Sequence, residues 1–540
     1  MRILISGLLG TILVGCQLAP STDSDSQKQQ KPNDDVSQSV ESSTPSSDEV
    51  TPSSVQDDET DALETEVIAE EKQPEPVITP QSQEDVWQRM AMQFEMEVPD
   101  HKTVNYYRTW YLKHPSHLRT VSQRAQPFMH LIVEKIEERG LPLELALLPI
   151  VESSFDAFAY SHGRAAGLWQ FVPATGKAMG LEQNFWYDGR RDVAASTDAA
   201  LNYLAQQHQR FGDWSHAIAA YNSGGGRLNS AIRQNRNAGK PTDFFSLDLP
   251  KETSGYVPKL LALADVIANQ EKYGIEIPAI PNQKVVTLVD PKEQLDLAVA
   301  AEYAGISVKQ LQSLNPAYNQ WSTAPEEHHK LLLPTSAVAQ FEQSLDENRG
   351  KGVRLVRYQV QSGDSLSVIA QRHNTTTSVI RTANGLTDNN IRIGQYLMVP
   401  NSIKNEQEYQ LTANNRLRST QSQSRGQYKI DHVVTSGESL WTIARQHKVS
   451  YRSLAQWNGM APNDTLRVGQ KLVVWKDGKE GAIIRTVVYN VRSGDTISGI
   501  ANRFKVTSSD VVKWNNLQGE KYLQPGQRLT LYVDVTKVSV

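Results

Sequence analysis

Leu145-Ala-Leu-Leu-Pro-Ile-Val-Glu152-Ser153-Ser154-Phe155 is the stretch on which the fold turns. Seven apolar residues run straight into one carboxylate. Just upstream, Gly140-Leu-Pro142 stops one helix and opens the next, which the pattern predicts over Leu143 to Val151. A carboxylate beside that much hydrocarbon is poorly hydrated when charged. Its pKa therefore rises, as a general acid requires. A glutamate at a helix end is also commonly a plain solvated side chain, so Glu152 decides nothing alone.

Working outward, the neighbours are helical too. Ala125 to Arg139 is amphipathic, with Phe128, Leu131, Ile132, Val133 and Ile136 on the apolar side. Asp198 to Gln209 and Trp214 to Tyr221 read as further helices, so residues 83–275 form an all-α domain. Four motifs follow in order: Glu152-Ser153 with Ser161 nine residues on, Gly167-Leu-Trp169-Gln170-Phe, Ala220-Tyr221-Asn222-Ser-Gly-Gly-Gly226, and Glu252-Thr-Ser-Gly-Tyr256-Val-Pro258.

This series resembles the lytic transglycosylases of glycoside hydrolase family 23. The resemblance implies a lysozyme-like α fold in which Glu152 is both acid and base. Cleavage falls between N-acetylmuramic acid and N-acetylglucosamine and closes a 1,6-anhydro ring without water. It further implies that Ser153, Ser161 and Gln170 hold substrate, that Tyr221 and Asn222 line the site, and that Glu252 and Tyr256 belong to a closing motif. Two departures stand out. Trp169 replaces the family's methionine and is expected to reshape a sugar subsite, and the glycines at 224–226 are expected to loosen the loop after Asn222. Two-carboxylate glycosidases need a second acid across the sugar. Asp156 is one turn from Glu152 if the helix continues, which is badly placed for that, and it is read as structural. A hydrolytic lysozyme and a non-catalytic wall-binding protein are the competing readings. The missing second carboxylate argues against the first, and the four intact motifs against the other.

The C-terminal third is triplicated. Tyr358-Gln-Val-Gln-Ser-Gly-Asp364-Ser-Leu, His432-Val-Val-Thr-Ser-Gly-Glu438-Ser-Leu and Tyr489-Asn-Val-Arg-Ser-Gly-Asp495-Thr-Ile align on sight. Each continues to an alanine (Ala370, Ala444, Ala501), an asparagine (Asn384, Asn458, Asn515) and a Gly-Gln pair. The pattern predicts β-α-α-β, with the acidic residue after each glycine capping the next helix. It resembles the LysM module. That resemblance implies binding of N-acetylglucosamine-containing chains such as peptidoglycan, in a groove between Gly363–Leu366 and Asn384–Leu386 and their counterparts. The units are placed at 355–401, 429–476 and 485–533, with 402–427 as a linker. Segment 284–340 repeats the β-α-α-β order without the Gly-Asp and Gly-Gln signatures, and reads as a degenerate relative.

Charge is uneven along the 540 residues. Residues 21–80 carry a net −13 and residues 351–540 a net +13, against −5 overall. The basic end suits an anionic wall polymer. Its charges are scattered and no base-reading motif interrupts them, so nucleic acid is not expected. Met1-Arg2, an apolar Ile3 to Val14 and the lone Cys16 after Leu13-Val14-Gly15 have the build of a lipoprotein signal, residues 1–16. Cys16 is the expected lipidation site. Gln17 in place of Asp favours the outer membrane, facing the periplasm. Residues 17–82, acidic and poor in aromatics, are expected to be a disordered tether. One cysteine excludes a disulfide framework. No His-x-x-x-His pair or phosphate-binding loop appears, so neither metal nor cofactor is expected, and no protein partner can be deduced.

Overall fold

The computed structural model describes residues 78–326, 328–477, 484–517 and 523–534. The expected signal segment, Cys16 and the tether up to residue 77 lie outside the described residues. The described residues from Thr79 onward fall in one compact unit. The body begins slightly before the expected boundary: Thr79 caps a short turn at Pro80–Ser82, and Asn282 donates to the Gln83 carbonyl at 2.8 Å.

The first domain is helical: α1 (Val86–Ala91), α2 (Lys102–Lys113), α3 (Pro115–Ala125), α4 (Met129–Glu137), α5 (Leu148–Ser153), α6 (Pro173–Ala178), α7 (Val193–Phe211), α8 (Trp214–Ser223), α9 (Gly225–Asn237) and α10 (Lys251–Ala268). The helix expected over Ala125–Arg139 starts later, at Met129: Ala125 is the last residue of α3, and Pro127, with no N–H to continue the ladder, separates the two. The expected helix from Leu143 likewise divides into a 3₁₀ turn, Leu143–Leu147, and the short α5. Asp192 caps the start of α7 and Gly212, at φ 71°, ends it. The central strut is α10. It packs on α1, α2, α5 and α8 and buries Val257, Leu260, Leu261, Leu263 and Val266. That packing sets α5 and α8 against one flank of α10, and the site lies there.

Four β-α-α-β units follow, each closed by an antiparallel strand pair: Val286–Val289 with Leu331–Pro334, Arg354–Gln359 with Tyr396–Asn401, Tyr428–Val433 with Lys471–Lys476, and Ile484–Asn490 with Arg528–Asp534. The repeated asparagine acquires a physical reason. In the second of the triplicated units the Asn458 amide donates to Val473 O at 2.8 Å and accepts from Val473 N at 2.7 Å. It stands in for a third strand where the helix meets the sheet. Asn384 pairs with Met398 in the same way, and Asn515 with Thr530. Asn315 does so with Leu332, so segment 284–340 keeps this device despite its lost signatures.

One capping expectation is corrected. Asp364 does not cap the helix that follows. It accepts from Tyr358 Oη at 2.6 Å and from Gln361 N at 2.9 Å, closing the turn, while Ser365 caps the helix. Ser439 and Thr496 take that place in the other two units.

The units are not strung on a free chain. Trp186 and Tyr187 of the helical domain share a core with Tyr318 and Trp321, and Asp188 N donates to Ala317 O at 2.9 Å. The expected linker 402–427 is structured. Tyr409 is buried and donates to Asp296, a helix Ala413–Ser422 follows, and Gln421 donates to Asn458 Oδ1 at 2.9 Å. Asp296 recruits this segment because it is a buried acceptor that needs donors.

Candidate active site

The site is built where α5, α8 and α10 converge. Glu152 lies in the last turn of α5, partly accessible but ringed closely by protein. The Tyr256 hydroxyl, from α10, donates to Glu152 Oε1 at 2.6 Å. Burial pushes the Glu152 carboxyl up to about 7. The Tyr256 hydrogen bond and nearby Lys259 pull against that rise, and Glu252 adds to it. At neutral pH a group so poised both gives and takes a proton.

The chain turns sharply after Glu152. Ser154 and Phe155 both have positive φ, 51° and 57°, so α5 does not run on to Asp156. Asp156 instead caps its own turn by accepting from Phe158 N at 2.9 Å. Left-handed conformations at two consecutive non-glycine residues are costly and persist only where the surroundings impose them. Phe155 is buried, and its N–H bonds back to Pro149 O at 3.1 Å.

Ser153 does not point its hydroxyl outward as a substrate ligand would. It donates toward Pro149 O and Leu168 O, at 2.9 and 3.0 Å, and so ties α5 to the Gly167–Phe171 loop. In that loop Gly167 has φ +80°, and a Cβ there would lie 2.0 Å from Arg190 O, so glycine alone fits. Gln170 also has positive φ, 51°, with its side-chain amide donating to Gly167 O at 2.7 Å. Ser161 organises the preceding loop by accepting from Gly163 N and Ala165 N, at 3.2 and 3.0 Å.

The two departures from the family pattern act differently from expectation. Trp169 presents no surface to a ligand. It is fully buried, with its indole N–H donating to Thr197 Oγ1 on α7 at 3.0 Å. Nor do the glycines loosen a loop: Gly224, at φ 85°, joins α8 directly to α9, and Gly225 and Gly226 are that helix's first residues.

The remaining motif residues knit the frame. Tyr221 donates to Trp169 O at 2.7 Å, and Asn222 Oδ1 accepts from Thr253 Oγ1 at 2.9 Å. The third and fourth motifs are thus bonded to each other. Glu252 is exposed at the start of α10.

Residues outside the motifs also hold the site. Arg190 donates to Arg164 O at 2.7 Å and pairs with Asp188 at 2.8 Å, and both side chains are buried. The run Asp188-Gly-Arg190-Arg191 was the sequence signal for this brace. The Ser161 loop is held from outside as well: Arg164 Nε meets Asp464 of the second triplicated unit at 2.8 Å, and Arg416 lies over the Phe158 ring. Among the described residues, no group of three or more potential ligands is placed to hold a metal, and no helix is long and apolar enough to cross a membrane.

Comparison with known families agrees with this layout. The Transglycosylase SLT domain matches residues 131–244, which takes in Glu152 through Asn222 and stops short of Glu252 and Tyr256. The family described as Lytic transglycosylase MltD, LysM-like domain matches 286–350, and the LysM domain matches 358–400, 432–475 and 489–531. Membrane-bound lytic murein transglycosylase D of Escherichia coli K12 is 37% identical over 453 residues, covering 83% of this chain and 86% of the relative. The autolysin of Enterococcus faecalis is 30% identical over 175 residues, 30% of this chain and 23% of that protein. A solved structure of the lytic transglycosylase Slt of Pseudomonas aeruginosa aligns at 21% identity, 37% of this chain and 32% of that one, with a TM-score of 0.23.

Proposed function

This chain belongs to the membrane-bound lytic murein transglycosylase D family, and from that membership and the geometry around Glu152 we propose a mechanism resting on one carboxyl group. Glu152 protonates the glycosidic oxygen between N-acetylmuramic acid and N-acetylglucosamine, and the bond to the leaving sugar breaks. The resulting carboxylate then takes the proton of the muramic acid 6-hydroxyl, whose oxygen bonds to the anomeric carbon. A 1,6-anhydro end forms, and Glu152 regains its proton. The observation that carries this reading is the Tyr256–Glu152 hydrogen bond on a carboxyl held near pKa 7, with Asp156 turned into its own cap instead of across the cleft. Glu152→Gln tests it. The expected result is a folded, glycan-binding protein whose turnover falls by roughly 10²–10⁴-fold, the usual worth of a general acid or base. Turnover close to the parent's would move the catalytic role elsewhere.

The LysM repeats supply peptidoglycan binding alongside the catalytic site. For substrate contacts we favour Ser161, whose oxygen only accepts from backbone N–H groups and keeps its hydrogen to donate, and Gln170, which commits its amide nitrogen but not its oxygen, over Ser153, whose hydroxyl already donates into the backbone. Attachment to the envelope rests on Cys16 as a lipidated N-terminus on the periplasmic face of the outer membrane. The Leu13-Val14-Gly15-Cys16 run and the membrane-bound relative support this. Several acyl chains are needed, since one anchors only marginally. Cys16→Ser is expected to release the protein from membranes without detergent, and unchanged fractionation after wall digestion would refute the anchor.

A further inference from the structure

α10 presents more to Glu152 than Tyr256. Glu252, Tyr256 and Lys259 are spaced four and three residues apart, which places them along one face of that helix. Tyr256 reaches the carboxyl itself, and one turn further on Lys259 Nζ donates to the carbonyl of Val151, the residue before Glu152, at 3.4 Å. The helix α5 has only six residues, so its last carbonyls have no partners within it. Arg124 takes a neighbouring one, Ser154 O, at 3.1 Å.

We propose that Lys259 is a positioning residue for the transglycosylase reaction, a fixed ammonium held under the end of α5 that stabilises Glu152 as a carboxylate between its acid and base steps. The proposal rests on the reading of Glu152 as the acid and base. Glu152 is faced by Tyr256, Lys259 and Glu252 from α10 and by Tyr221 from α8. Lys259 is faced in turn by His117 of α3, which burial holds neutral and which also has the Arg124 guanidinium nearby. Burial lowers the affinity of Lys259 for its proton, and the two glutamates restore part of it. A cation at this place has a task a plain helix cap lacks. Once Glu152 has given its proton away, its negative charge sits where water is scarce, and an ammonium already in place needs no rearrangement to answer it.

The test separates charge from capping. Lys259→Gln keeps an N–H donor for Val151 O but removes the charge, and Lys259→Arg keeps both. Turnover of a soluble glycan is followed against pH, and Glu152 is titrated by infrared difference against Glu152→Gln. Without the charge the Glu152 carboxyl should hold its proton longer. The alkaline limb and the infrared titration should both move up by roughly one pH unit, with a fall in maximal turnover of about tenfold. Lys259→Arg should leave both in place. If Lys259→Gln loses stability or turnover while limb and titration stay put, Lys259 only caps α5 and the proposal is overturned. If Glu152→Gln keeps its turnover, it is the role of Glu152 itself that fails.

Discussion

Tyr256 Oη and Glu152 Oε1 are 2.6 Å apart, and the bond joins the last turn of α5 to the middle of α10. A hydroxyl that donates to a carboxylate favours its charged form. Here it opposes the burial that pushes the carboxyl up to about 7.

Tyr256→Phe removes that donor and leaves the ring. The carboxyl should then hold its proton to higher pH and become a poorer acid. Turnover is expected to fall by roughly ten- to a hundredfold, the worth of a hydrogen bond to a charged group. The alkaline limb of the pH profile should shift upward. A limb that shifts downward would mean that Tyr256 bonds chiefly to the protonated form.

The same carboxyl links stability to pH. Its folded pKa, about 7, lies above the ordinary 4.5, so folding takes up a proton between those values. This contribution is fully present below about pH 4.5 and is lost as pH rises through 7. Glu152→Gln lacks the decline. The variant should match the parent at pH 4.5 and be more stable at pH 8, by about 2 kcal/mol once allowance is made for the accessible side of the carboxyl. Urea titrations at both pH values measure this, and a gap that closes toward pH 8 would contradict it.

In the repeats, Asn458 is 1% exposed and satisfies both polar groups of Val473. Asn458→Ala leaves a buried N–H and C=O unpaired, at a cost of about 1–3 kcal/mol. Hydrogen exchange at the Val473 amide in the full chain should quicken by more than tenfold. Asn315→Ala should act likewise on Leu332.

Asp464→Ala cuts the contact between the second triplicated unit and Arg164 in the Ser161 loop. The ion pair is partly solvated and contributes little, but Asp464 also accepts from Ala461 N at 2.8 Å, so overall stability should fall by about 1 kcal/mol. Exchange across residues 157–166 should rise, as should their cleavage by a protease. Unaltered protection there would show that Arg190 and Asp188 suffice to hold the loop.

Much of this was legible in the sequence, for identifiable reasons. The β-α-α-β order came through because strand alternation, caps and the asparagine bridge each fix a residue type at a fixed spacing. Glu152 stood out only once the ordered motifs downstream joined the apolar run before it, since a glutamate at a helix end is commonly a plain solvated side chain. What escaped were effects of distant partners. Trp169 looks like a binding-site aromatic until Thr197 is seen to take its N–H. Ser153 looks like a ligand until Leu168 O is beside it. The segment 402–427 has the composition of a linker, yet one tyrosine, Tyr409, anchors it by filling the demand of a buried Asp296 more than a hundred residues away. Lys259 carried no motif, because its role depends on a carbonyl brought to it by α5.

The central claim is that a single carboxyl both cleaves the glycan and closes the anhydro ring. Mass spectrometry of purified peptidoglycan digested by the full chain tests it most directly. The account predicts muramic acid ends lighter by one water than their hydrolysed counterparts and resistant to reduction by borohydride. Ordinary reducible ends, appearing with the parent and absent with Glu152→Gln, would show that water and not the 6-hydroxyl attacks the anomeric carbon.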